Sequence, residues 1–120
     1  KFEIFPNEVI LRNKVGERYT TYINALEPNI VTPKITTNCT TVYAQYSVTS
    51  NNRDQIIDKL RKLGIPTAVH YPTPLHLQTP FSNNIDLPIA EKISTKIFSL
   101  PMHPYLEIEE IEKVSQALAL

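Results

Sequence analysis

Thr41-Val42-Tyr43-Ala44-Gln45-Tyr46-Ser47-Val48, followed by Ser50-Asn51-Asn52 and by Arg53 to Gly64, is the stretch on which the fold turns. In its first eight residues Val42, Ala44, Tyr46 and Val48 alternate with Tyr43, Gln45 and Ser47, the two-residue period of a half-buried β-strand. The Ser-Asn-Asn step then supplies a turn and a cap. Beyond it, Ile56, Ile57, Leu60 and Leu63 recur at helical spacing, and Gly64 stands where a helix ends in a left-handed residue. A strand feeding a helix in this way argues for a sheet covered by helices.

The flanking sequence extends the pattern. Upstream, Phe5-Pro6-Asn7 reads as a helix entry, with Asn7 as the expected cap and Glu8 in the first turn. Leu11, Val15, Tyr19, Tyr22, Ile23 and Leu26 form an apolar stripe, Gly16 weakens the helix slightly, and Pro28 ends it. Val31 to Thr37 is rich in β-branched residues, but Pro33 demotes it to an edge or irregular segment. Downstream, Ile65 to Val69 reads as a second short strand. Asp86 is the expected cap of a third helix with Pro88 in its first turn. Ile89, Ile93 and Ile97 make its stripe, and Ile97 to Met102 reads alternatively as a short strand before Pro101. The last helix starts near Glu107 and turns Ile108, Ile111, Val114 and Leu118 inward. Glu107, Glu109 and Glu110 sit at its positive end. The expected fold is therefore an α/β (α+β) sandwich with a small three- to four-stranded sheet.

The 120 residues are enough for one domain, with 42% hydrophobic and 20% charged side chains. Lys+Arg and Asp+Glu both count 12, so no basic footprint for nucleic acid or an anionic membrane is present. No apolar run reaches the length of a membrane span, and no secretory leader is visible. The single cysteine, Cys39, excludes an internal disulfide and fits the cytoplasm. The chain opens at Lys1 and enters a helix almost at once, as expected of a segment of a longer protein.

Chemistry concentrates in AVHYPTPLHLQTPF, residues 68 to 81, which holds two of the three histidines. His70, His76 and His103 lack metal-ligand spacing, so a metal site is not expected. Cys39 has no histidine or lysine beside it to activate a thiolate. Two glycines do not build a phosphate-cradling loop, and the carboxylates fall on helix exteriors. In the loop, His70 and Tyr71 emerge where a strand stops, a common place for binding groups. Pro72 holds Tyr71 extended, and with Pro74 it reduces the entropy lost on binding a polar ligand. The competing reading has Tyr71 and His76 capping the core while the prolines route the chain. Residue chemistry alone leaves the two level. His103, between Pro101 and Pro104, reads as structural.

Several motifs together resemble the carboxy-terminal part of the DegT/DnrJ/EryC1/StrS aminotransferases. They are TVYAQYS at 41–47, Arg53-Asp54, GIPTAVHYP at 64–72, Pro74-Leu75-His76-Leu77-Gln78, Phe81, Ala90-Glu91 and SLPMHPYL at 99–106. The resemblance covers nearly the whole chain, including the leading helix with Arg12, Arg18 and Tyr19. The YAQY strand is most similar to the branch that aminates a 3-keto uronic acid sugar on UDP. It implies a homodimeric fold type I aminotransferase that uses pyridoxal 5'-phosphate to move an amino group, from glutamate, to a keto sugar of a nucleotide-sugar. The setting implied is cell-surface polysaccharide or lipopolysaccharide biosynthesis. Residues 1–27 would be a helix leading from a missing large domain, and 28–120 the small domain. Catalytic and cofactor-binding residues would lie in that large domain, and the isolated chain would be inactive. Carried onto this sequence, His70 and Tyr71 are the substrate contacts, with His76 and Gln78 second on the same loop. Thr79-Pro80-Phe81 departs from the family, which often has proline directly after the glutamine. The alternative is a stand-alone, non-catalytic module that binds a nucleotide-sugar or another protein.

Overall fold

The computed structural model describes residues 2–81 and 85–119. Along the chain lie helix α1 (Phe5–Leu26), strand β1 (Tyr46–Thr49), helix α2 (Arg53–Lys62), two short 3-10 turns (Leu75–Leu77 and Thr79–Phe81), helix α3 (Pro88–Ser94), strand β2 (Ile97–Leu100) and helix α4 (Ile108–Ala117). β1 and β2 pair antiparallel, with Tyr46 opposite Leu100 and Thr49 opposite Ile97. Single bridges join Val31 to Thr49 on one side and Ala68 to Ser99 on the other. The expected three- to four-stranded sheet is thus corrected to two strands flanked by two one-residue bridges. Proline explains both truncations: Pro33 and Pro66 lie two residues from the bridging positions and have no N–H to extend the ladder.

The opening stretch also pairs less than its alternation predicts. Only Tyr46 and Val48 reach the core from the expected face, while Val42 and Ala44 are exposed. Tyr43, expected on the opposite face, is buried, and its backbone turns to φ 40°. The cause lies in α1. The Arg12 guanidinium donates to the Tyr43 carbonyl (3.0 Å) and Asn13 Nδ2 donates to the Thr41 carbonyl (2.9 Å). Tyr43 N–H donates to Thr41 Oγ1 (3.0 Å). Backbone groups that a ladder would have paired are satisfied by side chains instead, so the strand starts only at Tyr46.

Tyr43 folds its ring onto Gly16 of α1. A Cβ placed on Gly16 would lie 2.5 Å from Tyr43 Cε2, so the residue that costs helix propensity is the one that lets helix and strand approach. Beside this contact Tyr19 stacks on Tyr46 at 5.0 Å, and Tyr43 lies 5.7 Å from Tyr46. Tyr46 Oη and Thr20 Oγ1 share a hydrogen bond of 2.7 Å. Tyr19 Oη donates to the Pro101 carbonyl at 3.0 Å. The phenols therefore enter the core with their polar ends partnered.

Around them Ile23, Ile56, Leu60, Phe98, Ile111 and Leu118 are fully buried or nearly so. α4 lies along α1, and the Tyr22 hydroxyl donates to Glu112 across that seam at 2.7 Å. Caps depart from expectation. α1 starts ahead of Asn7, with Pro6 in its first turn. α3 starts at Pro88, and Glu91 Oε1, not Asp86, accepts the Leu87 N–H at 3.2 Å. Ile89 and Ile93 do not form a core stripe; Ile89 is 79% exposed. α3 has 7 residues, too few to reach both the rim and the core. Gly64, at φ 73°, ends α2 as its sequence predicts. Among the described residues no helix is long and apolar enough to cross a membrane.

Gly16→Ala should lower stability by about 1–3 kcal/mol, because the added methyl overpacks against an aromatic ring. Combining it with Tyr43→Leu should cost less than the sum of the two single changes, read from denaturant midpoints; strict additivity would refute the contact. Burial pushes the Tyr46 phenol up to about 12 from its ordinary 10.0, and it raises Tyr19 as well. A raised phenol stabilises the fold fully below its unfolded value, and that contribution is lost as pH rises through the folded value. Alkaline unfolding should therefore track tyrosinate absorbance above about pH 10. Tyr46→Phe should move it to higher pH.

Candidate functional site

The Ala68–Ser99 bridge fixes where the loop leaves the sheet: Ser99 N–H donates to the Ala68 carbonyl (2.7 Å) and Ala68 N–H to that of Ser99 (3.2 Å). Two residues on, His70 and Tyr71 project from the edge. Both are exposed, Tyr71 at 71%, and their rings meet edge to face at 5.7 Å. Among the described residues neither ring's polar atoms have a hydrogen-bond partner, so both are available to a ligand. Pro74 itself is extended, at φ −57° and ψ 150°. Gln78 Nε2 donates back to the Thr73 carbonyl (3.1 Å), which closes the loop on itself.

His70, Tyr71 and Gln78 line one wall of an open cleft of about 560 Å³, with Ala90, Ile93 and Ser94 of α3 opposite. Its surface is largely apolar, with most of its polar residues on the loop. A smaller cavity of about 250 Å³ lies on the far side of His70 and reaches Gln45, Thr67 and Ser99. His70 thus lines both recesses.

His76 stands apart from the other three predicted residues. It is 8% exposed, and its Nε2 lies 2.9 Å from Glu91 Oε1. The imidazole faces α3 and is absent from the cleft lining, because the 3-10 turn at Leu75–Leu77 rolls it inward. The hydrogen bond from His76, with that from Leu87 N–H, holds the Glu91 carboxyl below the usual carboxylate range. Glu91 stood in the sequence only as part of the Ala90-Glu91 motif, and its pairing with His76 was not anticipated. No fixed spacing links it to His76, so its role had no local signature. His103 accepts a local bond from Tyr105 N–H (3.3 Å). Among the described residues no cluster of three metal-ligating side chains occurs.

The sequence profile of the DegT/DnrJ/EryC1/StrS aminotransferase family matches residues 1–119. The chain belongs to that family. It is 42% identical over 119 residues, 98% of its length, to the UDP-2-acetamido-2-deoxy-3-oxo-D-glucuronate aminotransferase of Pseudomonas aeruginosa. It is 36% identical over 113 residues, 90% of its length, to a pleiotropic regulatory protein of Geobacillus stearothermophilus. These alignments cover 33% and 30% of the two relatives, so the chain spans about a third of the length of the curated relatives it matches. A crystal structure of a DegT DnrJ EryC1 StrS aminotransferase from Brucella abortus superposes with TM-score 0.89 at 31% identity, covering 98% of this chain and 32% of that one. The packing of α1 against the two-stranded sheet is accordingly the family's own arrangement.

An aminotransferase of this family is expected to use pyridoxal phosphate, which needs an amine, a carboxylate for its pyridine nitrogen and a phosphate cradle. The cleft lining contains no lysine, aspartate or glutamate among the described residues. The two glycines are committed elsewhere, Gly16 beneath Tyr43 and Gly64 at the end of α2. These residues do not fit the cofactor, and its chemistry is not assigned to them.

A lowered carboxyl stabilises the fold above its unfolded value, and that contribution is lost as pH falls through the folded one. Acidification should therefore loosen the His76–Glu91 junction below about pH 4. In Glu91→Gln the melting temperature should fall less between pH 6 and pH 3 than in the parent; equal slopes would count against the junction.

Proposed function

We propose that this chain is the carboxy-terminal domain of a pyridoxal-phosphate-dependent aminotransferase acting on a nucleotide-sugar. The substrate is a UDP-linked 3-keto uronic acid sugar, glutamate is the amino donor, and the pathway builds cell-surface polysaccharide or lipopolysaccharide in the cytoplasm. Residues 1–27 act as the helix leading into the domain, and 28–120 as its body. The cofactor and catalytic residues belong to a large domain, and the active sites form at the boundary of a homodimer. Supporting this reading are family membership over residues 1–119 and the 42% identity to the Pseudomonas relative.

The observation that carries the substrate role is the unpartnered His70–Tyr71 pair at the mouth of the cleft. An imidazole and a phenol held 5.7 Å apart between ring centres suit hydrogen bonds to sugar hydroxyls or to diphosphate oxygens. The apolar wall of Ala90 and Ile93 suits the flat face of a sugar or base. Gln78 keeps its carbonyl oxygen for a ligand while its amide holds the loop.

In the full-length protein, His70→Ala should raise the KM for the sugar nucleotide about tenfold, the worth of one charge-assisted hydrogen bond, and leave the half-reaction with glutamate unchanged. Equal losses in both half-reactions would remove the substrate role. Tight binding of the sugar nucleotide by the isolated chain would favour a stand-alone module instead.

A further inference from the structure

Both walls of the cleft are weakly tied to the core. In the 3-10 turn, Leu75 and Leu77 are 62% and 51% exposed, so apolar burial does not hold it. The side chain that enters the interior between them is His76. On the facing wall Ile89 and Ile93 of α3 are also exposed, and Ser94 is the helix's buried residue. α3 is fastened at its carboxy-terminal end, where Arg53 Nη1 donates to the Ser94 carbonyl at 2.6 Å. Its amino-terminal end is fastened through Glu91. That carboxylate accepts from His76 Nε2 at 2.9 Å and from Leu87 N–H at 3.2 Å.

We propose that Glu91 and His76 are positioning residues that set the separation of the two cleft walls, holding the loop that carries Tyr71 and Gln78 against α3. One carboxylate ties the loop to the helix. A hydrogen bond between a buried imidazole and a partly shielded carboxylate is directional, so it fixes a distance where apolar contacts would allow sliding. Neither residue touches the ligand; both act through His70, Tyr71 and Gln78. For its kinetic consequence the proposal rests on the cleft being the sugar-nucleotide site. Its structural part stands independently.

The test uses the full-length protein with Glu91→Ala, His76→Ala, the conservative Glu91→Gln and His76→Gln, and His70→Ala as comparator. Alanine keeps helix propensity at position 91 but removes the acceptor of the Leu87 N–H, which the His76 variants leave in place. Glutamine keeps an acceptor at 91 or a donor at 76. Amide exchange at Leu77 and Gln78, whose N–H groups bond Pro74 and Leu75 carbonyls, should speed at least tenfold in the two alanine variants and return towards the parent in the glutamine ones. The KM for the sugar nucleotide should rise about fivefold in the alanine variants, with the glutamate half-reaction unchanged. Unchanged exchange at Leu77 and Gln78 overturns the tie whatever the substrate is. Faster exchange with an unchanged KM, in a protein where His70→Ala does raise it, overturns the positioning role alone. If His70→Ala leaves the KM untouched, the sugar reading of the cleft fails, and the exchange result by itself decides the tie. Should Glu91→Ala fail to fold, the His76→Ala and His76→Gln pair makes the same comparison.

Discussion

The contact between Gly16 and Tyr43 is the constraint on which the rest of the domain depends. With no side chain at position 16, α1 takes the tyrosine ring against its own backbone. That approach brings Tyr19 onto Tyr46 and puts Arg12 and Asn13 within reach of the carbonyls of the incoming chain. The aromatic layer so formed seats β1 on α1, β2 pairs with β1, and α4 closes the seam through Tyr22 and Glu112. Most of the core's stabilisation comes from the removal of these large side chains from water, about 1.5–3 kcal/mol for each large apolar residue fully buried.

The candidate site is built differently. It hangs from the edge of the sheet by the Ala68–Ser99 bridge, and its walls contribute little to the core. Polar ties take over there: Arg53 to Ser94, Gln78 to Thr73, His76 to Glu91. A rim held by hydrogen bonds keeps apolar surface free to face a ligand. Among the described residues it also leaves the polar atoms of His70 and Tyr71 without hydrogen-bond partners. The arrangement separates the part of the chain that folds from the part that binds.

Much of this was legible in the residues. The period-two run ending at Val48 located β1, Gly64 located the end of α2, and the spacing of Ile111, Val114 and Leu118 gave the buried face of α4. Pro33 marked the segment around Val31 as one that joins the sheet only briefly, whereas Ile65 to Val69, expected as a strand, contributes only the bridge at Ala68. The motifs GIPTAVHYP and SLPMHPYL carried the family, which the match over residues 1–119 shows. Within the loop, His70 and Tyr71 stood out because histidine is scarce here and a strand ends beside them. Less legible were the caps, where local chemistry named Asn7 and Asp86 while α1 has no side-chain cap at its N-cap Ile4 and α3 uses Glu91. Burial of His76 was equally hidden, since nothing local distinguishes it from the exposed His70.

What the sequence by itself determined is whatever depends on neighbours along the chain: periodicity, the stops made by proline and glycine, the balance of charge, and the motifs of the family. Tertiary structure alone decided the outcomes that depend on residues far apart. Gly16 meets Tyr43 across 27 positions, Arg12 meets the Tyr43 carbonyl across 31, and His76 meets Glu91 across 15. Each of those pairings costs chain entropy that only the assembled core offsets. Their partners are therefore chosen by packing geometry, which no local window of residues contains.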